Sequence, residues 1–142
     1  MQDFVHLHVH TQYSLLDGQA SVARLVDKAM QNGMKGIAVT DHGNMFGIKE
    51  FTNYVNKKNS GPKGEIKDLK KRLVGIEAGS IECEDKEAEV AACKAKIVEA
   101  ENKLFKPIIG CEMYVARRTM DLKEGKQDQS GYHLIVLAKN ET

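Results

Sequence analysis

What the sequence lacks narrows the field first. It holds no run of about 18 apolar residues, the length a membrane-crossing helix needs, and no basic-then-apolar leader at its start. No membrane span, no membrane partner and no secretory signal are expected, and the expected compartment is the cytoplasm. An excess of one charge sign is also missing. Lys and Arg number 21 against 20 Asp and Glu, a formal net charge of +1, so no overall field draws the chain to nucleic acid or anionic lipid. The cysteines Cys83, Cys93 and Cys111 are odd in number and include no C-x-x-C pair. Three reduced thiols fit that pattern better than a disulfide framework.

What is present suits one domain: 142 residues, 42% of them apolar, are enough for a real core. The last residues, Ala138 to Thr142, follow directly on a strand-like run, so the sequence is expected to be part of a longer chain.

Along the chain, Phe4 to Thr11 alternates in period two, with Val5, Leu7 and Val9 on one face and Phe4, His6, His8 and His10 on the other. A strand is predicted there. After Asp17-Gly18, Ser21 is placed to cap a helix whose stripe is Val22, Leu25, Val26, Ala29 and Met30, ending at Gly33. Gly36 to Thr40 reads as a buried strand and Met45 to Lys57 as a second helix. Further strands are predicted at Lys106 to Val115 and at Tyr132 to Ala138. Strand, helix, strand, helix argues for a parallel α/β architecture.

Residues 60 to 104 break that rhythm. Both charge signs are mixed there, and two stripes recur at 3 and 4: Ile66-Leu69-Leu73-Ile76 and Val90-Cys93-Ile97-Ala100-Leu104. Separated by Gly79-Ser80, they predict two antiparallel helices inserted between an α/β core of residues 1–59 and 105–142. A short strand over Val74 to Cys83 is the competing reading.

The chemistry-bearing residues gather at the ends of the predicted strands, where parallel α/β folds place ligands. His8 and His10, about 7 Å apart on one strand face, are close enough to share a metal. Asp41 and His42 follow the second strand, Glu112 lies on the third, and Asp17 sits in the first loop. One histidine is usually a packing residue; two at i, i+2 beside an Asp-His pair point to metal. His6 is read as packing or supporting the ligands from one pleat deeper, and Asp41 as orienting the His42 ring. His133 begins its strand, the wrong end for such a site, which leaves ligand and ordinary surface residue equally open. Arg117, Arg118, Lys123 and Lys126 are interleaved with Asp121, Glu124 and Asp128, so a solvated loop is expected and no residue is assigned to nucleic-acid binding.

His8-Val9-His10-Thr11 followed by Thr40-Asp41-His42-Gly43 resembles the first two motifs of the PHP (polymerase and histidinol phosphatase) superfamily. Residues 4–18, 40–47, 106–112 and 132–138 resemble more narrowly the PHP modules at the start of the bacterial polymerase III α family. The resemblance covers nearly everything outside residues 60 to 104. It implies the N-terminal part of a distorted, TIM-like (β/α)7 barrel with up to three divalent ions, Zn²⁺ or Mn²⁺ rather than Mg²⁺. His8, His10, Asp17, His42, Glu112 and His133 match family ligand positions. Further ligands are expected beyond Thr142. The parent implied is a DNA-directed DNA polymerase, a nucleotidyltransferase of replication whose partners are DNA and replisome subunits. Its polymerising site is not in these residues, and 3′–5′ exonuclease or other phosphoesterase chemistry belongs to the intact module. A stand-alone phosphatase of the histidinol-phosphatase kind and a non-catalytic scaffold are the alternatives. An open sheet edge is also expected to make the isolated chain self-associate.

Overall fold

A computed structural model describes residues 4–119, 121–128 and 131–140. In chain order the elements are α1 (Val22–Gln31), β1 (Gly36–Val39), α2 (Ile48–Lys58), α3 (Ser60–Glu77), α4 (Lys86–Asn102), β2 (Lys106–Val115) and β3 (Tyr132–Leu137), with one 3-10 turn at Gly125–Gln127. The chain divides into two compact units. One is formed by the residues up to Val55 and from Lys106 onward, the other by Asn56–Phe105.

In the first unit, α1 lies against β1 and buries Val22, Val26 and Ala29, the spacing that puts one apolar stripe on one side of a helix. Its end is set by Gly33 at φ 77°. Gly33 N donates to Met30 O and Met34 N to Ala29 O, the paired bonds of a left-handed helix stop. Ser21 precedes the helix as expected, but its side chain makes no capping bond. All four residues of β1 are buried, and Phe51 and Val55 of α2 add to the core. α2 starts at Ile48 rather than Met45. Asn44 Oδ1 accepts from Phe46 N at 3.1 Å, which holds that stretch in a turn before the helix begins.

The sheet has three strands in the order β1-β2-β3. β1 and β2 are parallel, Gly36 opposite Lys106 and Val39 opposite Ile109. β3 is antiparallel to β2, with Tyr114 opposite His133 and Glu112 opposite Ile135. The expectation of an all-parallel sheet is thus corrected to a mixed one. The start of β3 therefore lies beside the end of β2.

The strand predicted over Phe4 to Thr11 is not a regular strand. Ala38 N donates to His6 O at 2.8 Å and Thr40 N to Val9 O at 2.9 Å, so three steps on this segment face two on β1. The extra residue breaks the ladder, as in a bulge, and Val9 N turns to the Thr40 hydroxyl instead, at 2.9 Å. The period-two burial fails with it: Leu7 is 51% exposed while Thr11 is fully buried.

The second unit is a pair of helices. Asp85 caps α4 by accepting from Ala88 N at 3.0 Å. α3 runs to Glu77 and turns at Gly79, φ 74°, so no strand forms over Val74 to Cys83. Ile66, Ile97 and Ala100 are buried with Leu69, Leu73 and Leu104 around them. At one end Asn59 Nδ2 donates to Phe105 O at 2.8 Å and Phe105 N donates to Asn59 Oδ1 at 2.9 Å. At the other end Lys86 Nζ reaches Glu77 O at 3.0 Å, so the helices run antiparallel. The Asn59 amide satisfies both backbone groups of one buried residue, and it makes no cap bond to its own helix.

Glu141 and Thr142, on which part of the reading of the chain's end rests, lie outside the described residues. Among the described residues no helix is long and apolar enough to cross a membrane.

Candidate metal centre

The first unit brings five ligand-capable residues from four places in the sequence onto one another. Past β1 the parallel ladder continues: Glu112 N donates to Asp41 O at 3.1 Å and Gly43 N to Glu112 O at 2.8 Å, a bridge that sets His42 beside Glu112. Tyr114 and Glu112, two apart on β2, face the same side. The antiparallel register puts His133 diagonally across from Glu112 on that side. A tight turn, in which Asp17 N and Gly18 N donate to Ser14 O, folds Asp17 back over His10. A Cβ on Gly18 would stand 2.0 Å from Thr11 O, so only glycine closes that turn.

His10 Nδ1 lies 2.8 Å from Asp17 Oδ2, and His10 Nε2 lies 2.7 Å from Glu112 Oε2. His42 Nδ1 is 3.1 Å from the same Glu112 oxygen and 3.4 Å from Asp17 Oδ2. His133 Nδ1 approaches the other Glu112 oxygen, Oε1, at 2.9 Å. One ligand atom from each of His10, Asp17, His42 and Glu112 falls within 4.8 Å of the rest. His8 stands outside that quartet. Its ring is 4.8 Å, centroid to centroid, from that of His10, and its Nδ1 is 2.9 Å from Thr40 Oγ1. The Thr40 hydroxyl donates to Val9 O at 3.3 Å. The Thr40 hydroxyl thus engages Nδ1 of His8 and leaves Nε2 as its other ring nitrogen.

The donor set fits a cation better than it fits itself. His10 Nε2, His42 Nδ1 and Glu112 Oε2 are buried and make no hydrogen bond, although they lie 2.7 to 3.1 Å apart. Three buried nitrogen and oxygen atoms thus meet at one point with no hydrogen-bond partner assigned to any of them. Buried polar atoms are otherwise paired almost without exception. Burial raises the Glu112 carboxyl, but His10, His133 and His42 together outweigh it and hold the group below the usual carboxylate range. The thiol of Cys111, beside Asp41 and Glu112, is pushed up by burial first and then by those carboxylates. It stays a thiol, and Cys83, Cys93 and Cys111 are all free.

The two residues expected in supporting roles make the following contacts. Asp41 does not touch the His42 ring. Its oxygens accept from Thr11 N at 2.6 Å, Ser14 Oγ at 2.7 Å and Thr11 Oγ1 at 2.9 Å. His6 packs, one of the two readings given for it: its exposed ring lies edge-on against Phe4 at 4.7 Å. The ladder break turns that part of the segment away from the regular pleat. Sequence reasoning missed Tyr114, whose ring lies 5.1 Å from that of His42 and 5.3 Å from that of His133. Its position two residues after Glu112 on one strand was the available signal. Arg118 is taken up by Asp128, Nε to Oδ1 at 2.9 Å, and by Glu124 at 3.1 Å, and Arg117 lies over the Tyr132 ring.

A mixed α/β unit that converges histidines and carboxylates on one point is the setting in which the family can be stated. The chain matches the PHP domain over residues 6–142 and belongs to that family. It is similar to the DNA polymerase III subunit alpha of Treponema pallidum, 39% identical over 140 residues, and to that of Borreliella burgdorferi, 37% identical over 141 residues. The Chlamydia muridarum protein of the same name is 30% identical over 139 residues. These alignments cover 97 to 98% of this chain and 8% of each relative. The chain therefore corresponds to a small part of the polymerase subunits it resembles.

Proposed function

We propose that this chain is the metal-binding PHP segment of a replicative DNA polymerase of the polymerase III α kind. In this reading His8, His10, Asp17, His42, Glu112 and His133 hold divalent ions, up to three in the complete module. The observation that carries the metal assignment is the trio of buried, unpaired atoms: His10 Nε2, His42 Nδ1 and Glu112 Oε2. Imidazole-rich donors favour Zn²⁺ or Mn²⁺ over Mg²⁺. Bound there, such ions supply Lewis acidity for phosphoester chemistry, including 3′–5′ exonuclease action by an intact module.

The residues divide the work. Glu112 turns Oε2 to His10 and His42 and Oε1 to His133, so each of its oxygens would be placed to help hold an ion. Asp17 restrains His10 through Nδ1, which leaves Nε2 free to coordinate. The Thr40 hydroxyl does the same for His8. A PHP-type barrel of more strands, a cytoplasmic setting, and DNA and replisome subunits as partners belong to the same reading. They are supported by the polymerase names of the relatives.

Two measurements test it. Calorimetric titration with Zn²⁺, Mn²⁺ and Mg²⁺ should show binding in the first two that His10→Ala and His42→Ala each weaken at least tenfold. No binding of any of the three removes the metal assignment. Sequencing the gene beyond codon 142 tests the parent: a frame without a polymerase region removes that part.

A further inference from the structure

We infer that Asp41 is a positioning residue of the metal centre, acting through Ser14 and Thr11 instead of as a ligand. The inference rests on the metal reading above and deepens it. Asp41 is 1% exposed, and its three donors all belong to the turn that begins after His10 and ends at Asp17. Thr11 N and Ser14 Oγ share Oδ1, and Thr11 Oγ1 takes Oδ2. Ser14 is buried as well. Its hydroxyl has one hydrogen, which it gives to Asp41, and its oxygen accepts from His42 N at 3.0 Å. The bonds therefore close a circuit. The turn that carries His10 and Asp17 is fastened to Asp41, and through Ser14 to the backbone of His42.

A carboxylate is the group suited to that crossing. It only accepts, and it accepts several donors at once, whereas an amide would turn an N–H towards one of three donors. Placing a charge in the interior is costly unless hydrogen bonds satisfy it. Among the described residues no Lys, Arg or His forms an ion pair with Asp41. A buried anion held by three donors, beside a cluster that it does not enter, has no packing purpose that a Val or Leu would not serve better. Its effect is on the cluster: His10, Asp17 and His42 lie on the two segments that Asp41 fastens together, and their ligand atoms must keep within a few ångströms of Glu112. Outer partners of this kind are worth 10- to 100-fold in metal affinity.

The test uses the full chain and Co²⁺ as the probe, whose visible bands report coordination geometry. Ser14→Ala removes the link to His42 N and one donor to Asp41, Ser14→Thr keeps a hydroxyl, and Asp41→Asn replaces the acceptor. Ser14→Ala and Asp41→Asn should bind Co²⁺ 10- to 100-fold more weakly, with altered band positions. The metal-free Ser14→Ala chain should keep the wild-type far-ultraviolet spectrum, and Ser14→Thr should recover most of the affinity. Wild-type affinity and bands in both Ser14→Ala and Asp41→Asn would overturn the inference. If Asp41→Asn does not fold, the Ser14→Ala and Ser14→Thr pair still decides. A wild-type chain that binds no Co²⁺ overturns the metal reading itself, an outcome distinct from equal binding by wild type and variants.

Discussion

Glu112 shows what a proposed ligand costs the fold that carries it. Its Oε2 lies 2.7 Å from His10 Nε2, buried and without a hydrogen-bond partner. Glu112→Gln places an N–H donor at that contact while leaving an oxygen for His133. The expected outcome is a metal-free stability within about 1 kcal/mol of wild type, because the burial cost of the charge and the imidazole attraction that offsets it are removed together. The stabilisation that Zn²⁺ gives wild type should be lost. Thermal unfolding with and without Zn²⁺ measures both, and a Glu112→Gln chain destabilised without metal but still stabilised by it would contradict this. Acidification separates the ligands. The imidazoles hold the Glu112 carboxyl below its ordinary range, so its ionised form persists as pH falls to about 4.3 and is lost only beneath that. Chemical-shift titration of the Glu112 carboxyl in the metal-free chain should therefore place its protonation below the ordinary glutamate range. Protonation within or above that range would refute it. That His10, Asp17, His42 and Glu112 would converge was legible in the sequence, because few side-chain types carry ligand atoms. The partners were not: that Asp41 binds Thr11 and Ser14 and not the His42 ring depends on where a turn closes.

Elements were legible where one local rule governs them. The stripe of α1, its Gly33 stop and the buried run of β1 each follow from nearest-neighbour physics, and the structure places them within a residue or two of expectation. The segment before α1 was not, because its alternation is real but its pairing with β1 slips by one residue at Val9 and Thr40. Slips of that kind are set by the partner strand, which a single segment cannot reveal. The direction of β3 was hidden for the same reason. Period two marks a strand and says nothing of which way its neighbour runs, yet that direction carries His133 to Glu112. At this scale Gly18 makes the sharpest test. A Cβ there would sit 2.0 Å from Thr11 O, against backbone that cannot swing aside. Gly18→Ala should open the turn, lower thermal stability by several degrees and weaken metal binding with it, since Asp17 is the next residue. A variant with unchanged melting and unchanged Zn²⁺ affinity would show that the turn tolerates the methyl group.

For the whole molecule, the two units separate the proposed ligands from the pair of helices. All six proposed ligands lie up to Val55 or from Lys106 onward, and none lies within Asn56–Phe105. The inserted helices bring their own core, Ile66, Ile97 and Ala100, and their own fastening, the Asn59 amide on both backbone groups of Phe105. That fastening keeps the two ends of residues 60 to 104 together, so a short replacement faces little loop-closure entropy. Exchanging residues 60 to 104 for a short Gly-Ser linker should therefore leave Zn²⁺ affinity within about threefold of wild type, by titration calorimetry. Asn59→Ala is the companion variant. It strips two hydrogen bonds from a buried backbone, at about 1–3 kcal/mol for each group left unpaired. Amide exchange in α3 and α4 should accelerate while the metal site keeps its affinity. If the linker variant loses metal binding although Asn59→Ala keeps it, the helices support the site by some route other than the clasp. If both lose it, the insertion is part of the metal-binding unit and the division of labour fails.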